Sequence, residues 1–128
     1  MKDEDADGLT PFGAHLRRLR AKRNMKARDM AAAIGVTPTY LSALERGRRG
    51  RPSWALTQRI IHHLGAIWDD AAEIERLAGL SHPRVTIDTA RLSARATLLA
   101  NRLSRELDDL SEERVTALLA VLDEAEGK

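Results

Sequence analysis

The chain has no cysteine among its 128 residues, which removes disulfides, thiolate zinc sites and cysteine nucleophiles together. Aromatic residues make up only 3% of it. Runs of β-branched residues are nearly absent, whereas alanine, leucine and arginine abound, so helices are expected to dominate and the fold class to be all-α. No stretch approaches the roughly 18 consecutive apolar residues of a membrane span. The opening MKDEDADG is acidic, where a secretion leader is basic and then apolar, so a cytoplasmic protein with no membrane contact is expected. Catalytic constellations are missing as well. There is no nucleophile-and-base arrangement, no phosphate-cradling glycine loop and no carboxylate pair in an apolar setting, which argues against an enzyme, a cofactor or a small-molecule ligand. His62 and His63 are adjacent and point to different helix faces, and His15 and His82 stand alone, so no metal site is expected.

Acidic residues are scarce in one place in particular. Residues 9–52 carry eleven Lys and Arg against Asp29 and Glu45, a balance of +9, inside a chain whose net charge is +2. The balance is −3 over residues 1–8 and −4 over residues 53–128. A field so localised attracts a polyanion to one face and leaves the other end of the chain for protein contacts.

Residues 1–8 read as a disordered acidic tail. A first helix is expected from Thr10 and Pro11 to about Asn24, with Phe12, Leu16 and Leu19 inward and Arg17, Arg18 and Lys22 solvated or peripheral. Two short helices should follow over Ala27–Ile34 and Pro38–Arg46, with Gly35 between them and Gly47 after them. A fourth opens at Pro52 and Ser53, carries Trp54, Ile60, Ile61 and Leu64 inward, and stops at Gly65. A fifth covers about Asp69–Ala78, with Asp69 and Asp70 as caps. Trp54 and Trp68 read as core or domain-junction anchors. Residues 9–78 form a first domain and residues 79–92 a linker.

Within residues 93–125, Ser93 and Ser111 can cap two more helices, forming an antiparallel hairpin. Leu99, Leu103, Leu107 and Leu110 line the first, and Val115, Leu118, Leu119 and Leu122 the second. An isolated pair of amphipathic helices cannot bury both apolar faces, so these must pack on the first domain or on a second subunit, and the second subunit is favoured. Leu99, Leu103, Leu107, Val115, Leu118, Leu119 and Leu122 are thus the dimerisation candidates.

The stretch ARDMAAAIGVTPTYLSAL, residues 27–44, has the pattern of a helix-turn-helix: a small Ala31 at the helix crossing, Gly35 for the turn and Pro38 opening the second helix. Leu41 and Leu44 face inward, which leaves Thr37, Thr39, Tyr40, Ser42 and Ala43 as an uncharged outer face of a kind that suits a DNA groove.

FGAHLRRLR, DMAAAIGVTPTYLSALERGRRGRPSW and IIHHLG together resemble the Xre/Cro, lambda-repressor-like family of regulators over residues 9 to about 78. IWDDAAEIERLAGLSHPRVTIDT and LLANRLSREL are similar to its PraR-type alphaproteobacterial members. The resemblance implies a five-helix DNA-binding domain, double-stranded DNA as partner and a homodimer. It also implies a structural ion pair between Arg20 and Glu45. In the family the start of the third helix meets base edges in the major groove, which here assigns Thr37, Pro38, Thr39, Tyr40 and Ala43. Pro38 and Ala43 can offer only apolar contact, so direct reading rests on Thr39 and Tyr40, with Lys26 or Arg28 beside them. Arg46, Arg48, Arg49 and Arg51 suit phosphate through their planar forks; Arg49 or Arg51 either enters a minor groove or holds phosphate alone. The expected function is a homodimeric repressor on a pseudo-palindromic operator. The alternative is an antitoxin or adaptor whose C-terminal hairpin binds a protein partner while the basic domain autoregulates its operon.

Overall fold

Thr10 starts the first helix by accepting a hydrogen bond on its side-chain oxygen from the Gly13 N–H at 3.0 Å, with Pro11 in the first helical position, where no N–H is required. The computed structural model describes residues 8–127; apart from Gly8, the expected acidic tail lies outside them. Seven α-helices occur among the described residues: α1 Pro11–Lys22, α2 Ala27–Ile34, α3 Pro38–Glu45, α4 Trp54–Leu64, α5 Trp68–Gly79, α6 Ala94–Glu106 and α7 Glu112–Gly127, with a 3-10 turn over Leu107–Asp109 between the last two. No β-strand is present among the described residues. The all-α expectation holds.

Local chemistry sets the helix ends. Gly35 closes α2 in the left-handed region, φ +83°, and lets the Val36 N–H reach the Ala31 carbonyl at 2.9 Å. Gly65 closes α4 in the same way at φ +66°. Thr37, Ser53 and Ser93 cap α3, α4 and α6 through their hydroxyls. Helix α1 ends sooner than expected, at Lys22, because Asn24 turns left-handed at φ +52°. Asp69 and Asp70 are not caps: the cap position of α5 is Ile67, and the two carboxylates sit in the first turn, where the helix dipole favours negative charge.

The chain divides into two units, one ending at Val85 and the other beginning at Thr86. In the first unit α1 packs on α3 and α5, α2 packs on α3 and α4, and α4 packs on α5. Phe12, Leu16, Met30, Ile34, Leu41, Leu44, Ile60 and Ile74 fill the space between them. Ser81, just past α5, is buried and joins the ends of two helices: its hydroxyl donates to the Leu77 carbonyl at 2.6 Å and accepts from the Phe12 N–H at 2.9 Å.

Neither tryptophan is a core anchor, since Trp54 is 76% and Trp68 84% exposed. Both occupy the first position of their helices. The buried stripe of α4 starts only at Leu56, and that of α5 consists of Ile74 and Ala78. The second unit comprises α6, the 3-10 turn and α7. The turn packs on α6, no α6 side chain is buried, and Leu103, Leu110 and Val115 are half-buried.

Candidate nucleic-acid interface

Helix α3 is fastened by its inner face and presents its outer one. Thr37 accepts from the Tyr40 N–H at 3.0 Å, while Leu41 and Leu44 are buried in the core. Thr37, Pro38 and Thr39 are therefore exposed, and Tyr40 and Ala43 are half-buried. The face carries hydroxyls, one phenol and methyl groups, without a charge.

Beyond α3 the backbone folds back tightly. Gly47 and Gly50 are left-handed at φ +76° and +73°, the Arg48 N–H reaches the Ala43 carbonyl at 2.9 Å, and the Gly50 N–H reaches the Gly47 carbonyl at 3.1 Å. Glycine suits both positions because a Cβ is strained at positive φ. The turn leaves Arg48, Arg49 and Arg51 exposed and Arg46 half-buried. Lys26 and Arg28 are exposed at the start of α2, which packs on α3. None of the eleven side chains expected to face DNA is buried.

One pairing within this set has no counterpart in the sequence reading. The Arg49 guanidinium lies over the Tyr40 ring, 4.9 Å from its centroid, within cation–π range. The contact holds the arginine against the phenol at the front of α3. Truncating both residues is accordingly expected to weaken duplex binding by less than the two single losses combined, with a coupling of about 0.5–1 kcal/mol for an exposed cation–π pair. A double-mutant cycle of Arg49→Ala and Tyr40→Ala, read by duplex titration, measures it; strict additivity would mean that the contact does not organise the bound face.

The back of α3 is held by charge. Glu45 is 1% exposed and accepts from Arg17 Nε at 2.9 Å and from the buried Arg20 Nη1. The expected Arg20–Glu45 pair is present. Arg17, expected to be solvated or peripheral, instead completes a three-membered cluster. Its position three residues before Arg20 places both on one side of α1, a spacing that sequence could have supplied. Two more arginines act on backbone: Arg59 donates to the Ile34 carbonyl at 2.7 Å and Arg23 to the Leu64 carbonyl at 3.2 Å, satisfying carbonyls at the ends of α2 and α4.

Partial burial, and secondarily Arg18, push the His15 pKa down, and a hydrogen bond from Arg76 lowers that of Glu73. No cluster of three or more His, Cys, Asp or Glu able to hold a metal ion occurs among the described residues. None of their helices is long and apolar enough to cross a membrane.

The sequence has counterparts among known proteins. A family model described as a helix-turn-helix domain matches residues 11–77, the whole stretch from the start of α1 into α5. Over 52 residues the chain is 33% identical to RghRB of Bacillus subtilis (strain 168), which bears the name uncharacterized HTH-type transcriptional regulator; the match covers 41% of this chain and 37% of that one. No solved structure matches.

Proposed function

Because the chain belongs to the helix-turn-helix domain family of DNA-binding transcription regulators, we propose that it acts as a homodimeric repressor on a pseudo-palindromic operator. The observation that carries this reading is the exposed, uncharged first turn of α3 beside the arginine turn at residues 46–51. A polyelectrolyte duplex is attracted by the +9 balance of residues 9–52. Thr39 and Tyr40 meet base edges in the major groove; Pro38 and Ala43 contact thymine methyls. Arg48 and Arg51 take phosphates, and Arg49 fixes Tyr40 while reaching toward the backbone. Two such faces, related by the two-fold axis of a dimer, read half-sites about one helical turn apart. With only two side chains suited to hydrogen-bonded readout, discrimination leans on duplex shape.

Mobility shifts against genomic fragments at several salt concentrations test the assignment. Arg51→Ala is expected to weaken every duplex and to lower the salt slope by about 1. Thr39→Ala is expected to cost about 1–3 kcal/mol on preferred sites and to leave non-preferred duplexes nearly unchanged. Equal losses from both variants on every sequence would overturn the division between reader and anchor, and binding indifferent to salt would overturn the reading itself.

A further inference from the structure

We propose that α6 of one chain packs antiparallel against α7 of a second copy, so that two chains close a four-helix bundle. The pairing rests on the homodimer proposed above and names the surface that forms it.

The first observation concerns α7. Residues 116–122, TALLAVL, make about two helical turns with no charged residue, so apolar side chains face every direction. A helix that is apolar all round belongs in an interior. Here Leu118, Leu119, Val121 and Leu122 are 42–62% exposed, and Leu98, Leu99 and Leu107 are exposed as well. These exposures are those of the whole chain, so its own α6 leaves this apolar surface largely uncovered.

The second observation is charge, and it selects the occupant. Helix α6 holds Arg95, Arg102 and Arg105 against Glu106, whereas α7 holds Glu112, Glu113, Asp123, Glu124 and Glu126 against Arg114. Both helices also carry charges at the wrong pole. Asp123, Glu124 and Glu126 sit in the last turns of α7, where the dipole is negative, and Arg95 sits in the first turn of α6, where it is positive. An antiparallel pairing of α6 with α7 sets Arg95 beside Asp123 and Glu124, and Arg105 beside Glu112 and Glu113, while Arg102 stays paired with Glu106 of its own helix. Each mismatch is then relieved by the other. A second copy presents both complementary helices at once, so the contact is reciprocal and closes in a two-fold dimer.

The absence of cysteine makes the test clean, because Arg95→Cys and Glu124→Cys each place a single thiol on the full chain. The wild type is expected to be a dimer by light scattering at micromolar concentration. Mixing the two variants with a short bismaleimide is expected to yield a covalent product of twice the chain mass, and neither variant alone to yield it. Reversing α6 with Arg95→Glu and Arg105→Glu is expected to weaken self-association by about tenfold or more, as loss of several ion pairs would; adding Glu113→Arg and Glu124→Arg restores it. Circular dichroism checks that helix content survives in each variant.

A monomeric wild type, a cross-link within one chain bearing both cysteines, or self-linking of either single variant would overturn the pairing. Duplex titration of the same proteins separates the two readings. A monomer with salt-sensitive duplex binding sinks the bundle alone, and a cross-linked dimer indifferent to DNA sinks the regulator alone.

Discussion

Glu45→Ala is expected to destabilise the first unit by about 3–5 kcal/mol, the range found when one member of a buried charged cluster is removed. The carboxylate is almost wholly buried and accepts from both Arg17 and Arg20. Its removal leaves the Arg20 guanidinium, itself buried, in a low-dielectric setting with no counter-charge. Desolvation of the remaining ion decides the sign, since the pair's mutual attraction no longer offsets it. At roughly 4–8 °C per kcal/mol for a domain of this size, thermal unfolding should fall by tens of degrees. Glu45→Gln keeps the shape and an acceptor but not the charge, and should fall between the wild type and alanine. The decisive comparison is a double variant, Arg20→Met with Glu45→Leu: if the loss stems from an orphaned charge, removing both charges recovers most of it. A double variant as unstable as Glu45→Ala would place the loss in packing instead. Duplex binding should follow, because Glu45 is the last residue of α3 and its side chain ties that helix to α1.

What sequence could and could not disclose follows the reach of each interaction. Caps at Thr10, Thr37, Ser53 and Ser93 depend on an N–H three residues away, and the turns at Gly35 and Gly65 depend on one residue's φ. Such features are written in a few neighbouring letters. The Arg20–Glu45 pair spans 25 residues and was visible only through a family pattern. Ser81, which meets Phe12 across 69 residues, had no such pattern and read as linker. Hydrophobicity alone does not say that Trp54 and Trp68, at the first positions of their helices, precede the buried stripes. In the second unit, the leucine spacing marks α6 as amphipathic, whereas α7 is apolar on every side over residues 116–122. Spacing cannot say whether two such helices close on each other, since the same apolar face serves a hairpin or an intermolecular bundle.

Gly13 is the residue whose importance sequence hides most completely, and Gly13→Ala is expected to act against the ordinary rule. In a helix interior alanine is favoured over glycine by about 0.5–1 kcal/mol, so propensity predicts a gain. The structure predicts a loss. A Cβ on Gly13 would lie 2.7 Å from the carbonyl carbon and 2.8 Å from the Cα of Glu45, and closer still to the carbonyl oxygen. These are backbone atoms, so no rotamer change can clear them; α3 must move away from α1. The displacement would also strain the bonds that Thr10 makes to the same carbonyl, 3.0 Å from its N–H and 3.2 Å from its hydroxyl. Overpacking of a well-filled site costs typically about 1–3 kcal/mol and occasionally more, and an obstacle made of backbone belongs at the upper end. We therefore expect a net loss of about 2 kcal/mol or more by urea unfolding, larger for Gly13→Val. Gly79→Ala supplies the internal contrast: Gly79 also lies in a helix, but nothing stands within 4 Å of its Cβ position. There propensity acts unopposed, and a gain of a few tenths up to about 1 kcal/mol is expected. If both substitutions stabilised, close approach of α1 to the end of α3 could not be what glycine at position 13 provides. Opposite signs would tie the placement of α3 to the missing side chain.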